Sequence, residues 1–349
     1  YPPLALGLFT LPRLVGESFR WYYVWFEVEI VAFDLIIVLA LYFAAQRRGL
    51  PAALVLIGYT VAIIAVGPIA LQQFDIVPAL FALVAMIAYA GDLIAFAAAM
   101  LALGAMTKIY PVLLAPLFVL LEIRRGRGRA LWRPVVAFAV TCLVLLTPWL
   151  IKAPLSLAVL IDYHAKRGIQ IESTYATVAL AAASLNLTIV RVVDSFGSVN
   201  LDGPLPRGLA SASTAVLVVA MIVVYRAIDN AVRVDTGRKG RDLELLSQAS
   251  LAVLAAAMVA SKVLSPQYLV WLTPFVALVS ARRRRVIWSL FAAVGVLTYF
   301  MYPHHYDDLL GRQPYAIAVM AGRNVLLLSL ATVAARTLGR SESERPSVG

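Results

Sequence analysis

Charge is what this 349-residue chain has least of: Asp, Glu, Lys and Arg make up 14% of it. An ordinary soluble domain carries about 25%. That deficit excludes a soluble globular enzyme, and the mean hydropathy of +0.86 points the same way. The single cysteine, Cys142, lies inside an apolar run, which leaves no disulfide framework and no cysteine-based metal cluster. Histidine is scarce at three residues, and no glycine-rich loop of the kind that cradles a nucleotide phosphate is present. What abounds is apolar sequence, 62% of residues, in runs that recur along the whole length. Runs near ~20 residues are the signature of helices that span a bilayer. These features describe an all-α, polytopic integral membrane protein whose principal partner is the lipid bilayer.

The apolar runs predict spans at 22–45, 50–71, 76–90, 93–107, 111–121, 134–151, 209–228, 246–261, 268–281, 286–301 and 315–337. Several are shorter than the ~20 residues a perpendicular helix needs, so those helices extend further or are surrounded by protein rather than lipid. Basic residues set the orientation. They cluster at Arg47-Arg48, at Arg124 to Arg133, at Arg238-Lys239 with Arg241, at Arg282 to Arg285, and at Arg336, Arg340 and Arg345. All five clusters are cytoplasmic at once if the chain starts outside, crosses eleven times, and does not cross at the hydrophobic stretch 174–193. The net charge of +11 is then a topology signal, and no nucleic-acid partner is implied. Residues 1–338 form one membrane domain in this scheme, and 339–349 a cytoplasmic tail. Residues 153–208 are a long external loop with a short surface-lying or re-entrant helix.

The unusual polar residues gather on the external side. His164, His304, His305, Asp75, Lys108, Lys166, Arg167, Glu172 and Lys262 all fall in predicted external loops. External cations run against the positive-inside trend and suit an anionic headgroup such as a phosphate, although ordinary loop solvation accounts for any one of them. Within the first span, Glu27 is near enough to the surface to line a cavity, while the deeper Asp34 suits an interhelical hydrogen bond. Asp75 precedes an apolar helix with Pro78 in its first turn, a good N-cap that could equally face the external cavity. Lys108 either snorkels to the interface or holds a phosphate. Ser261-Lys262 through Pro266 to Tyr268 repeats the plan of Thr107-Lys108 through Tyr110-Pro111: a lysine, a proline break and an aromatic. Broken helices of this kind line cavities rather than face lipid.

Five segments carry a family resemblance: Tyr-Pro-Pro-Leu at the start, Gln-Phe-Asp-Ile-Val-Pro-Ala at 73–79, Thr-Lys-Ile-Tyr-Pro at 107–111, Gln-Ile-Glu-Ser at 170–173 and Lys-Val-Leu-Ser-Pro-Gln-Tyr at 262–268. In matching order over most of the chain, they resemble the polytopic glycosyltransferases of family 87 in the GT-C superfamily. That family includes actinobacterial mannosyltransferases of the phosphatidylinositol mannoside pathway. The resemblance implies an inverting sugar transferase at the outer face of the cytoplasmic membrane. Its donor would be a polyprenyl-phosphate sugar, with mannose the commonest sugar, and its acceptor a lipid or cell-envelope glycan.

Lys108, Lys166, Arg167, Lys262 and His304 are then candidates for the donor phosphate, and Gln170, Glu172, Gln267 and Tyr268 for other substrate contacts. The resemblance sets the catalytic Asp in the first external loop, ahead of Tyr1, so the chain is expected to be an N-terminally truncated piece. Glu27, Asp75 and His305 are substitute or supporting candidates. No cofactor is firmly implied, and a divalent metal stays open. A transporter or flippase of lipid-linked saccharides is the alternative. The long 153–208 loop, which does not repeat elsewhere in the chain, favours the enzyme.

Overall fold

The computed structural model describes residues 2–16, 18–234, 242–279, 283–336 and 338. Short α1 (Pro3–Thr10) leads into α2 (Phe19–Arg48), a 30-residue helix. Ser18 Oγ accepts from the Trp21 amide at its start, and Gly49 takes the left-handed conformation (φ 66°) at its end. The chain continues through α3 (Ala52–Val66), the turn α4 (Ile69–Gln72), α5 (Ile76–Ala90), α6 (Ile94–Thr107), α7 (Ala115–Arg124) and α8 (Trp132–Lys152). Next come α9 (Ser156–Lys166), strand β1 (Ile169–Gln170), α10 (Thr174–Ser184) and the hairpin of β2 (Arg191–Ser195) and β3 (Ser198–Asp202). Helices α11 (Pro204–Val234), α12 (Asp242–Ala260), α13 (Thr273–Ala277), α14 (Arg284–Tyr299), α15 (Tyr306–Leu310) and α16 (Pro314–Arg336) complete the order.

Every predicted span coincides with helix, although boundaries move. The span at 111–121 is a 3-10 turn over Tyr110–Leu114 followed by α7, and 268–281 is a 3-10 turn over Pro266–Leu272 followed by α13. Among the described residues six helices are long and apolar enough to cross a membrane: α2, α8, α11, α12, α14 and α16. Helices α3, α5 and α6 are shorter. Almost all of α5 is buried by protein, and packing replaces the missing length there. Helix α12 is the central column, with most of its residues buried against α16, α11 and α13. Gly295 on α14 lies so close to α3 that a Cβ would meet the Ala65 carbonyl at 2.5 Å.

The helices run between two ends of different character. At one end Arg48 donates to the Ala90 carbonyl, and Arg124 forms a paired bond with Asp229 at 2.5 and 2.6 Å. Arg127 there bridges Asp92 (2.6 Å) and the buried Glu122 (2.8 Å), which also accepts from Tyr89 at 2.7 Å. Two of the predicted basic clusters therefore meet. Arg238, Lys239, Arg241, Arg282, Arg340, Arg345 and the tail 339–349 lie outside the described residues.

The opposite end carries 153–208, and here the structure departs from expectation. The stretch 174–193 holds the 11-residue helix α10, a turn and the start of β2. That helix, capped by Ser173 Oγ on the Ala176 amide at 3.1 Å, packs against α16 through Ala176, Ala179 and Leu180, and Tyr175 donates to the Ala260 carbonyl at the end of α12. The uncovered helix is α9, none of whose residues is buried. A three-stranded antiparallel sheet, order β1-β3-β2, adds strand structure to a chain read as all-α. Its β2–β3 hairpin turns at Phe196-Gly197, both at positive φ, the form whose twist matches the strands. A second small core of Ile171, Leu180, Leu201, Leu309 and Met320 ties this cap to α15 and α16.

Candidate functional site

Two lysine centres occupy the cap end. At the first, Asp75 is fully buried, and its Oδ1 accepts from Lys108 Nζ at 2.6 Å and from Trp271 Nε1 at 2.5 Å. The N-cap expectation for Asp75 is corrected: it stands at that position but its side chain makes no capping bond, because Lys108 and Trp271 take the carboxylate. Lys108, 18% exposed, lies over the rings of Phe74, Tyr268 and Trp271 at 5.0–5.5 Å. Tyr110 and Tyr268 each stack on Trp271, with ring centroids 4.0 Å away. The ammonium is neutralised and enclosed, so Lys108 is a fixed charge in the packing rather than an open phosphate ligand. Asp75 Oδ2 and Tyr110 Oη remain buried without a hydrogen-bond partner.

At the second centre, Arg167, at the C-cap of α9, and Lys262, after α12, converge on a cleft of about 470 Å³. The β-sheet and the first turns of α11 complete its walls, contributing Ser195, Asn200, Asp202, Arg207 and Ser211. Lys262 Nζ donates to the Ala165 carbonyl (3.1 Å) and Arg167 to Ser198 Oγ (2.8 Å). Neither has a carboxylate partner among the described residues, and Arg167 Nε is buried with none at all. Burial first, and then repulsion from Arg167, lowers the pKa of Lys262. Burial, together with the charges of Arg167 and Lys262, lowers that of His164. Excess positive potential in a polar cleft is met by an anion. Two rim charges are already matched: Lys166 pairs with Asp162 at 2.8 Å, and Arg207 grips Asp202 at 2.8 and 3.0 Å.

The proposed substrate contacts lie elsewhere. The Gln170 amide bonds the Lys262 carbonyl at 2.9 Å, joining β1 to the lysine loop, but its side chain turns inward to Glu172 at 3.1 Å. Both are buried beneath the cleft, where Arg323 of α16 donates to the Glu172 carbonyl, and neither lines the cavity. Burial pushes the Glu172 carboxyl up to about 7, against the opposing pull of Arg323 and Gln170. Gln267 Oε1 accepts from Ser265, and Tyr268 belongs to the aromatic stack around Lys108. Neither lines the cleft.

In α15, Asp308 Oδ2 lies 3.1 Å from Nδ1 of the preceding His305, and Tyr315 of α16 donates to the same carboxylate. Bonds from Tyr315 and then His305 hold Asp308 below the usual carboxylate range. The contact through Nδ1 orients the His305 ring. His304 is exposed and meets Tyr299 edge-on at 4.8 Å, outside the cleft lining. Glu27 is exposed on α2 and joins none of these groups, whereas Asp34 makes the expected interhelical bond, accepting from Tyr59 of α3.

Sequence reading missed Trp271, Arg323 and Arg207, and set Asp308 among the external polar residues without pairing it with His305. Arg323 carried a legible signal, a cation inside an apolar span, and Asp308 stands three residues after His305. No local signal joins Trp271 to Asp75, 196 residues away. Among the described residues no three His, Cys, Asp or Glu side chains gather as a metal site. No family model, curated protein or solved structure matches the chain.

Proposed function

We propose that the chain is the membrane domain of a GT-C-type glycosyltransferase, crossing the bilayer eleven times with the cleft on the extracytoplasmic side. It moves a sugar, mannose foremost, from a polyprenyl-phosphate donor to a lipid or cell-envelope glycan acceptor, with inversion. The observation that carries this reading is the convergence of Arg167 and Lys262, uncancelled by any described carboxylate, on a polar cleft. As the bond from sugar to phosphate breaks, the phosphate gains charge, and preplaced cations lower that barrier. The acceptor hydroxyl must lose a proton. Among the described residues His305, oriented by Asp308 and standing like His304 outside the cleft lining, is the candidate base. The ordered sheet beside the cleft suits an enzyme that covers its substrate.

The test supplies radiolabelled polyprenyl-phosphate mannose and membrane glycolipid acceptors to the protein, expressed from its whole gene and reconstituted in vesicles. Transfer of label is expected, with Lys262→Ala impairing donor use far more than the exposed Lys152→Ala. Absence of transfer to any acceptor, together with donor-independent movement of saccharide across the bilayer, replaces the enzyme by a transporter. Equal activity in the two variants removes Lys262 from the site.

A further inference from the structure

The cap end exposes apolar side chains that no described protein covers. Helix α8 has no fully buried residue in its apolar span: one side packs on α6, and the other exposes Val135, Val136, Val140, Leu143 and Val144. Exposed apolar side chains resume past Lys152: Leu155, Val159 (65% exposed) and Ile161 (62% exposed) follow Ile151 onto α9. Only the far end of α9 is polar, with Asp162, His164 and Lys166. A second uncovered patch, Leu185, Leu187 and Ile189, forms the loop between α10 and β2. This loop stands at the head of α11, where a Cβ on Gly203 would meet the Ile189 carbonyl at 2.2 Å. In water such patches are an aggregation liability. Apolar segments adjoining membrane spans, flanked by Lys152, Lys166 and Arg191, match the charge and polarity profile of a headgroup boundary.

The cleft lies at the same level. Its wall descends α11 from Pro206 to Ser211, the eighth residue of that helix, about 10 Å along the axis. Beyond that point α11 is exposed and apolar at Val216, Val218, Val219 and Ile222. At 31 residues α11 is longer than the hydrocarbon is thick, so at least one of its ends stands outside the hydrocarbon.

We propose that α9 and the 185–189 loop are immersed in the adjoining membrane leaflet, and that the cleft between α9 and α11 is entered sideways from that leaflet by a lipid-linked phosphate. The immersion stands on the apolar surfaces alone. The sideways entry rests on the cleft as an anion site.

The test uses the whole chain with Cys142→Ser, reconstituted in phosphatidylcholine vesicles and carrying an environment-sensitive fluorophore at Val159→Cys or Leu187→Cys. Ile161→Cys and Leu185→Cys stand in if either variant misfolds. A lipid nitroxide just below the headgroups is expected to quench both labels several times more than aqueous iodide. Dominant quenching by iodide overturns immersion, and so does protection from both quenchers, which signals a protein partner or a second copy. Entry is read separately, in unlabelled protein. Phosphatidic acid is expected to bind at least about tenfold more tightly than glycerol phosphate or inorganic phosphate, and Arg167→Gln with Lys262→Gln is expected to abolish the difference. Equal affinities overturn entry from the leaflet while sparing the anion site, and absence of binding by every phosphate overturns the anion site itself.

Discussion

Lys108 and Lys262 sit in similar sequence settings, each with a proline and an aromatic residue within the next six positions, yet the fold makes opposite use of them. Lys108 meets a fully buried carboxylate and three rings, so its charge is spent inside the protein. Lys262 meets another cation, a carbonyl and an open cleft. A charge whose partner is internal holds a structure together, whereas one without a partner is available to a ligand.

This contrast is sharpest in Asp75→Ala. Removing the carboxylate strands the Lys108 ammonium and the Trp271 N–H, and a loss of about 3–5 kcal/mol in stability is expected in chemical denaturation. A loss below about 1 kcal/mol would show that the first centre is not structural. The mirror experiment is Lys262→Ala or Arg167→Ala, with stability expected within about 0.5 kcal/mol of the parent. Affinity for a phosphate ester should fall by about 1.5–3 kcal/mol for each charged contact removed, measured by titration calorimetry. A large loss of stability here would erase the distinction.

Below the open centre, Glu172 supplies a pH test. Its folded pKa is raised from 4.5 to about 7, so folding favours the protonated form. That stabilisation is complete below pH 4.5 and is lost as the pH rises through about 7. Amides of α10 should therefore exchange faster at pH about 8 than at about 6, after correction for intrinsic rates, and Glu172→Gln should flatten the difference. The smallest effect is expected for Tyr163→Phe, which removes the bond from α9 to the Phe196 carbonyl at the hairpin tip. About 1 kcal/mol of local protection in β2–β3 should disappear, with the aromatic stack around Lys108 unchanged.

The helices were legible because apolar runs and their breaks are local: Pro111 and Pro266 end segments wherever the chain goes, and Ser18 and Gly49 mark the limits of α2. Lys262 and Arg167 were legible as candidates through being cations where topology disfavours them. The sheet was not legible, because β1 is two residues long and pairs with β3 about thirty residues later. Nor was the inward turn of Gln170 and Glu172, which depends on Arg323 descending from a distant helix.

Composition and apolar patterning by themselves determined that this chain is a helical membrane protein, where its helices lie, and that its unusual cations belong to the loops between them. Burial of apolar surface and backbone bonding within a segment need only the segment's own residues. Which lysine is closed and which is open was decided by tertiary structure alone. The energy of a charge depends on the partner brought to within a few ångströms, and for Lys108 and Lys262 those partners arrive from other parts of the chain.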